Sequence, residues 1–280
     1  DARTVLRVNG ALTTWLGLKL EELTEQQIGD VANRLGFLWT LPPRRVEPPA
    51  FTNHEASLRL PNGSTRHVWL SATPMSLDDR ICHLITLQDV TARVEAEHEV
   101  HQLKRLYATL SQVNQTIVRV QSRADLYQSI CDVAVRFGEF TAAWLGLWNE
   151  GTDTIHPVVI RTSSGELPLE QAAEALSLPG TASVDDPIVK TLRSSKVITR
   201  AAIDAAARQL LWPAALGDPS HQAIAIIPFR LRGKTIGVVG LVSPDTQALQ
   251  SADEVRLLDE MGLDISYALD MMETQAERRL

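Results

Sequence analysis

Apolar and polar residues alternate along three stretches in the first part of the chain, at positions 56–60, 65–72 and 81–88. A period of two places successive side chains on opposite faces, as in half-buried β-strands. Asn62-Gly63 separates the first two stretches, and this pair favours a tight hairpin because both central residues take positive φ. The pattern therefore predicts an antiparallel three-stranded meander, with one face covered by short N-terminal helices.

Residues 91–120 contain neither Gly nor Pro, which predicts one long helix. Apolar residues recur along it at alternating intervals of three and four, the a/d pattern of a coiled coil. A competing stripe runs through Leu106, Val113 and Val120. The helix therefore either pairs with a second copy or packs on its own domain. Both can hold if the first half of the helix pairs and the second half packs. The a/d stripe comprises Val100, Leu103, Tyr107, Leu110, Asn114 and Ile117.

The second part of the chain alternates helical and strand patterns. Residues 125–136 predict a helix with Ser122 and Gly138 as its caps. The last helix begins near residue 251, and its coiled-coil spacing predicts a second dimer contact through Leu258, Met261, Ile265, Ala268 and Met272. The other predicted helices lie at 8–18, 21–28, 170–176, 186–194 and 201–215, and the other strands at 140–148, 154–159, 197–199, 223–230 and 235–242.

Composition narrows the function classes. The 280 residues suit two domains, and 27 basic against 34 acidic residues give a net charge of −7, which argues against a nucleic-acid partner. No stretch approaches the roughly 18 consecutive apolar residues that a membrane helix needs. Cys82 and Cys131 are too few for a disulfide framework or a four-thiolate zinc site, and they indicate a reducing, cytoplasmic location. Because the chain begins at Asp1 without Met and ends within a helical pattern, we expect a piece of a longer protein.

Catalytic motifs are missing from the sequence. It contains no nucleophile elbow, phosphate-binding loop, zinc-protease helix or dinucleotide-binding glycine pattern, and its carboxylates are scattered. We therefore expect a chain that binds and transmits rather than an enzyme, with no metal site.

Four short segments resemble a PAS domain. Asn9-Gly10-Ala11 and Trp15-Leu16-Gly17 resemble its opening, residues 60–64 its hairpin, and Asp89-Val90-Thr91 its closing signature. The resemblance implies that Asp89 bonds backbone or arginine groups where the last strand meets the following helix, and that Thr91 caps this helix.

The order of elements after residue 103 resembles a GAF domain of bacterial multidomain signalling proteins. The likeness rests on segments 107–114, 130–135, 143–147 and 237–240 and on Trp212-Pro213. In such relatives the output is a diguanylate cyclase, a cyclic-di-nucleotide phosphodiesterase or a histidine kinase, and none of these is present here. The resemblance thus implies a homodimeric sensor in cyclic-di-GMP or two-component signalling, whose output domain lies elsewhere in the parent chain.

The GAF resemblance also implies a mostly apolar ligand cavity beside the sheet. Trp144 and Trp148 share one face of their predicted strand, where the rings either line this cavity or fill the core. A haem held by a histidine would make the domain a gas sensor, which is one alternative. Bilin attachment is not expected, because Cys131 falls on the N-terminal helix. The remaining candidate contacts are Asp204, Arg208, Trp212 and His221.

Together these observations predict an α+β chain with a PAS-like antiparallel sheet domain and a GAF-like α/β sandwich domain joined by a long helix. The predicted parts are a PAS-like domain at 1–93, a linker and dimerisation helix at 94–120, a GAF-like domain at 121–268 and an output-linking helix at 269–280. A ligand-free module for dimerisation and docking is the alternative function.

Overall fold

The computed structural model describes residues 4–34, 51–78, 80–152, 154–166, 186–201 and 222–278. The chain folds into two compact units, Asp1–Glu99 and Val100–Leu280. The helix predicted at 170–176 lies outside the described residues, as does all but the first residue of the one predicted at 201–215.

The first unit contains the predicted meander. Strands β1 (Phe51–Arg59), β2 (Thr65–Leu77) and β3 (Arg80–Asp89) are antiparallel and pair in the order β1-β2-β3. The hairpin prediction is confirmed, but its turn differs, because only Gly63 of the Asn-Gly pair has positive φ. The side chain of Asn62 instead accepts hydrogen bonds from the amide and hydroxyl of Ser64.

Short helices cover one face of this meander, as predicted. Helix α1 (Gly10–Leu16) is followed by a 3-10 turn (Leu20–Glu22) and helix α2 (Ile28–Arg34), which replace the single helix predicted at 21–28. Asn9 begins α1 by accepting a hydrogen bond from the amide of Leu12 at 2.9 Å. The shared core contains Leu16, Leu18, Leu23, Ala32, Leu58, Leu60, Val68 and Leu70.

Helix α3 (Thr91–Ile117) is the predicted long helix and ends at Ile117 rather than near residue 120. The boundary between the two units falls within it, after Glu99. Among the described helices, none combines the length and apolar character that crossing a bilayer requires.

The second unit is built on an antiparallel sheet that, over the described residues, has six strands in the order β6-β5-β4-β9-β8-β7. The hairpin of β8 and β9 occupies the interior, which fits the nearly unbroken burial of these two strands. The strands are β4 (Ala142–Asn149), β5 (Thr154–Thr162), β6 (Gly165–Glu166), β7 (Ile198–Ala201), β8 (Ala223–Leu231) and β9 (Lys234–Ser243).

Besides the later part of α3, the second unit contains three described helices: α4 (Arg123–Phe137), α5 (Pro187–Ser194) and α6 (Ala252–Arg278). The predicted caps of α4 are confirmed, since Ser122 accepts a hydrogen bond from the amide of Asp125 and Gly138 ends the helix. Helix α6 begins at a capping box in which the buried Glu254 accepts a hydrogen bond from the amide of Ser251.

The two faces of this sheet carry separate apolar clusters. One cluster, which we call the helix-side core, joins α4, α6 and the later part of α3 to residues such as Leu145, Ile227 and Val239. The other, which we call the Trp144 cluster, joins α5 to Trp144, Ile224, Ile226 and Val238. Because side chains alternate along a strand, β4, β5, β8 and β9 each supply residues to both clusters.

Candidate functional site

The two predicted tryptophans lie on the same face of β4. Trp144 and Trp148 belong to the Trp144 cluster, whereas their neighbours Ala143, Leu145 and Leu147 contact the helix-side core. Trp144 is only 4% exposed. Its ring is therefore enclosed within the Trp144 cluster.

Two glycines make room for the indole of Trp144. Trp144 pairs with Gly240 on the neighbouring strand β9, and a Cβ placed on Gly240 would lie 2.1 Å from Nε1 of the ring. A Cβ on Gly146 would lie 3.3 Å from Cζ3 of the same ring. Any side chain at position 240 must displace the indole, so this glycine fixes where the ring can lie.

Helix α5 covers the same face, and the buried Asp186 starts it. The Oδ1 atom of Asp186 accepts hydrogen bonds from the amides of Ile188 at 2.7 Å and Val189 at 3.3 Å. Burial raises the pKa of Asp186 above its ordinary value, although these two hydrogen bonds and the charge of Arg200 act in the opposite direction. The carboxyl group thus serves as an N-cap inside the apolar layer.

Two of the six predicted ligand contacts lie on described elements. Trp144 and Trp148 share a face, whereas Asp204, Arg208, Trp212 and His221 lie outside the described residues. Asp186 and Arg200, two charged residues on the elements that border the Trp144 cluster, were not predicted from the sequence. Asp186-Pro187 is an N-cap followed by a proline at the first helical position, a signal that could have drawn attention to the first of them.

Cys131 and the grouping of possible metal ligands bear on the chemistry that the described part of the chain can carry out. Cys131 on α4 is completely buried in the helix-side core, and burial raises its pKa to about 12. No group of three His, Cys, Asp or Glu side chains among the described residues could hold a metal ion.

Four of the five dimer contacts predicted for α6 are wrong, because their side chains are buried in their own chain. Leu258, Met261 and Ile265 are at most 3% exposed and pack in the helix-side core of their own chain, together with Ala268 and the half-buried Met272. The four buried side chains cannot also contact a partner helix, whereas the contact predicted for Met272 stays a prediction. The apolar side chains that α6 leaves exposed are Leu263, Tyr267 and Met271, spaced four residues apart on one face.

The predicted stripe of α3 divides into two parts. Val100 and Tyr107 are 63% and 52% exposed, and Asn114 is also exposed. Leu110 is buried in the helix-side core, and Leu103 and Ile117 pack against it. The competing stripe of Leu106, Val113 and Val120 also faces this core, so the helix has a buried face beside an exposed one.

The predicted junction in the first unit is organised around Asp89. Its carboxylate accepts hydrogen bonds from the amide of Thr91 at 2.9 Å and from Nε1 of Trp15 at 3.0 Å, and Arg66 lies 3.7 Å away. Burial alone would raise the pKa of Asp89, but these contacts outweigh it and the pKa lies below its ordinary value.

Thr91 does not have the predicted capping role. Its hydroxyl accepts a hydrogen bond from the amide of His67 on β2 at 2.9 Å, so Asp89 rather than Thr91 bonds the first helical amide. A cleft of about 380 Å³ adjoins this junction and is bordered by Trp69, over whose ring the guanidinium of Arg93 lies at 4.8 Å.

The second unit carries described helices on both faces of its antiparallel sheet. The profile of the GAF domain family matches residues 120–270, which is more than half of the chain. The chain therefore belongs to the GAF domain family.

Solved structures provide further likenesses. The free methionine-R-sulfoxide reductase of Neisseria meningitidis is 13% identical with a TM-score of 0.48, over 61% of this chain and 91% of that one. The GAF domain of an Acinetobacter phosphoenolpyruvate-protein phosphotransferase is 15% identical with a TM-score of 0.46. The match covers 59% of this chain and 93% of that one. The Stigmatella aurantiaca phytochrome photosensory core module is 12% identical with a TM-score of 0.45. The match covers 99% of this chain and 58% of that one. No curated protein sequence matches the chain.

Proposed function

We propose that this chain is a cytoplasmic regulatory segment of a bacterial signalling protein. Its GAF unit binds a small molecule on the face of the sheet that carries Trp144, and paired helices pass the signal to an output domain in the parent protein. The chain itself does not catalyse a reaction. The first unit acts as a PAS-like module in the same assembly.

The observation that carries this proposal is the construction of the Trp144 face. A large ring lies over a glycine on the central hairpin, and a short helix of eight residues lies over the same face. Large rings and a few polar groups beside a sheet are the usual lining of a small-molecule site. Asp186 and Arg200 supply charged groups at the border of this face.

Two residues, Cys131 and Asp186, support the proposal that the chain does not catalyse a reaction. A thiol with a pKa of about 12 is protonated at neutral pH, so Cys131 cannot act as a thiolate. The carboxyl group of Asp186, which borders the sensing face, is engaged as a helix cap. The haem alternative depends on His221, which lies outside the described residues, and adds nothing to this proposal.

Native mass spectrometry of protein purified from bacterial cells tests the proposal. We expect a small-molecule adduct that disappears on denaturation and whose occupancy falls strongly in Trp144→Leu. The matched control is Trp69→Leu, which makes the same change in the other unit and should leave the adduct unchanged.

A chain that carries no adduct, and that shows no mass shift with a metabolite extract of the same cells, would contradict ligand sensing. It would favour the alternative of a ligand-free module for dimerisation and docking. The deep burial of Trp144 is the observation that favours this alternative.

Dimerisation is proposed on the exposed apolar residues of α3 and α6. Val100 and Tyr107 on α3, and Leu263 and Tyr267 on α6, expose more than half of their surface. Exposed apolar side chains that repeat along a helix are typical of pairing surfaces. We therefore place the homodimer contact on these faces and not on the buried residues first predicted for α6.

A further inference from the structure

Helix α6 contacts the β8–β9 hairpin through a row of three residues at intervals of four. A Cβ on Gly262 would lie 2.7 Å from the carbonyl oxygen of Pro228, so the helix and strand backbones approach closely there. One turn later the hydroxyl of Ser266 accepts a hydrogen bond from the amide of Arg230 at 2.8 Å. After a further turn, the carboxylate of Asp270 accepts one from the amide of Arg232 at 2.7 Å.

A bulge in the sheet explains why Arg230 bonds the helix. The register of β8 against β9 shifts between Phe229 and Arg230. The amide of Arg230 points to α6, and Ser266 is its acceptor. The same hydroxyl donates to the carbonyl of Gly262 at 2.6 Å, so Ser266 uses both its donor and an acceptor position. Removal of this hydroxyl would leave a half-buried amide without its partner.

The side chain of Arg230 reaches the helix on the other face of the sheet. Its Nη2 donates a hydrogen bond to the carbonyl oxygen of Ser195 at 2.8 Å. Ser195 ends helix α5 in the left-handed conformation, at φ 53, and its hydroxyl contacts that of Thr235 at 2.8 Å. The C-terminal end of α5 is thus held to the same hairpin that holds α6.

Arg230 therefore bonds both helices. Its side chain bonds the C-terminal end of α5, and its backbone amide bonds α6. Helix α5 lies on the Trp144 face, and helix α6 leads to the C-terminal end of the described chain. The two helices belong to different apolar clusters, which lie on opposite faces of the β8–β9 hairpin. The link through Arg230 crosses from one face of the sheet to the other.

We propose that Arg230 is a coupling residue through which a displacement of α5 changes the stability of α6. The biological role of this coupling rests on the proposed function, because a ligand bound on the Trp144 face would displace α5. The coupling itself is a mechanical property of the unit and needs no ligand to be measured.

Hydrogen–deuterium exchange of the full chain measures this coupling. Asp186→Ala removes the N-cap of α5 and serves as the perturbation. We expect faster exchange in α5 and, in the wild-type background, exchange about threefold faster or more in α6 residues 262–274. In the Arg230→Met background the same cap removal should speed exchange in α5 but leave α6 nearly unchanged.

Two controls separate coupling from general loss of stability. Arg256→Met removes an arginine of α6 that is 69% exposed and contacts Asp253 on its own helix, so α6 should still respond to Asp186→Ala in this background. Helix α4 provides an internal reference, because a global effect would raise its exchange as much as that of α6. Val189→Ala replaces Asp186→Ala as the perturbation if the latter does not fold.

Three results would overturn the inference. They are an α6 that does not respond when α5 is loosened, a response that persists unchanged in Arg230→Met, and a response that α4 shares equally. A chain that binds a ligand but shows no coupling refutes only the inference about Arg230. A chain that shows coupling but binds no ligand refutes only the proposed function.

Discussion

The two faces of the sheet in the second unit are closed in different ways. The helix-side core is covered by α4, α6 and the later part of α3, and the apolar side chains of these helices pack in one cluster. On the opposite face, the described cover is the eight-residue helix α5 and the ring of Trp144, which occupies the space left by Gly240. Over the described residues, the first face is therefore covered by more helices than the second.

The largest expected effect comes from opening the helix-side core. Ile265→Ala removes a fully buried side chain of α6 and should lower the free energy of unfolding by about 2–5 kcal/mol, measured by urea denaturation. The exposed Leu263 lies on the other side of the same helix, so Leu263→Ala should cost less than about 1 kcal/mol. Equal losses for the two variants would contradict the assignment of the two sides.

A smaller but more local effect is expected on the Trp144 face. Gly240→Ala places a Cβ where the indole lies, which should cost about 1–3 kcal/mol and change the near-ultraviolet circular dichroism of tryptophan. Gly151→Ala is the control, because the nearest atom to its new Cβ is 3.4 Å away in an exposed turn. An unchanged tryptophan signal in Gly240→Ala would show that the ring does not depend on this glycine.

The contribution of Asp186 to stability should depend on pH, which gives a second test of the Trp144 face. Its pKa in the folded chain lies above the ordinary value of 3.8, so the unfolded chain ionises first as the pH rises. The contribution of Asp186 to stability is therefore greatest below pH 3.8 and declines until the pH passes its folded pKa.

Asp186→Asn keeps a side-chain acceptor for the helix amides but cannot ionise. Denaturation of both proteins over the acidic range should show the wild type losing stability relative to Asp186→Asn as the pH increases. A difference that stays constant, or that changes with the opposite sign, would show that burial does not govern this carboxyl group.

The smallest effect on stability is expected at the outer surface of α6. Tyr267→Glu should change the free energy of unfolding by no more than about 0.5 kcal/mol, because the side chain is 66% exposed. Sedimentation analysis should nevertheless show weaker self-association than in the wild type. Phe137→Glu, an exposed aromatic at the end of α4, is the matched control and should leave association unchanged. A monomeric wild type would contradict the proposed dimer.

Local sequence signals predicted most of the described elements. The alternation in the first unit, the helix caps Ser122 and Gly138, and the buried hairpin of β8 and β9 are properties of short segments, so neighbouring residues suffice to reveal them. The shared face of Trp144 and Trp148 follows from the same period of two. The GAF family was likewise visible in the order of elements.

The dimer contacts of α6 show why other predictions failed. A spacing of three and four identifies the apolar face of a helix but not the surface that this face covers. Leu258, Met261 and Ile265 have the spacing of a coiled coil, and the sheet of the same chain buries them. The exposed residues Leu263 and Tyr267 lie outside the strongest periodic stripe, so the pattern alone did not single them out.

The sequence by itself determined the order of helices and strands, the faces of the strands and the class of domain, because these depend on contacts between near neighbours in the chain. Only the tertiary structure decided which stripe of each long helix is buried, that Gly240 makes room for Trp144, and that Arg230 bonds helices on both faces of the sheet. These features join residues that are far apart in the chain, and a local pattern carries no information on which distant segment will meet it.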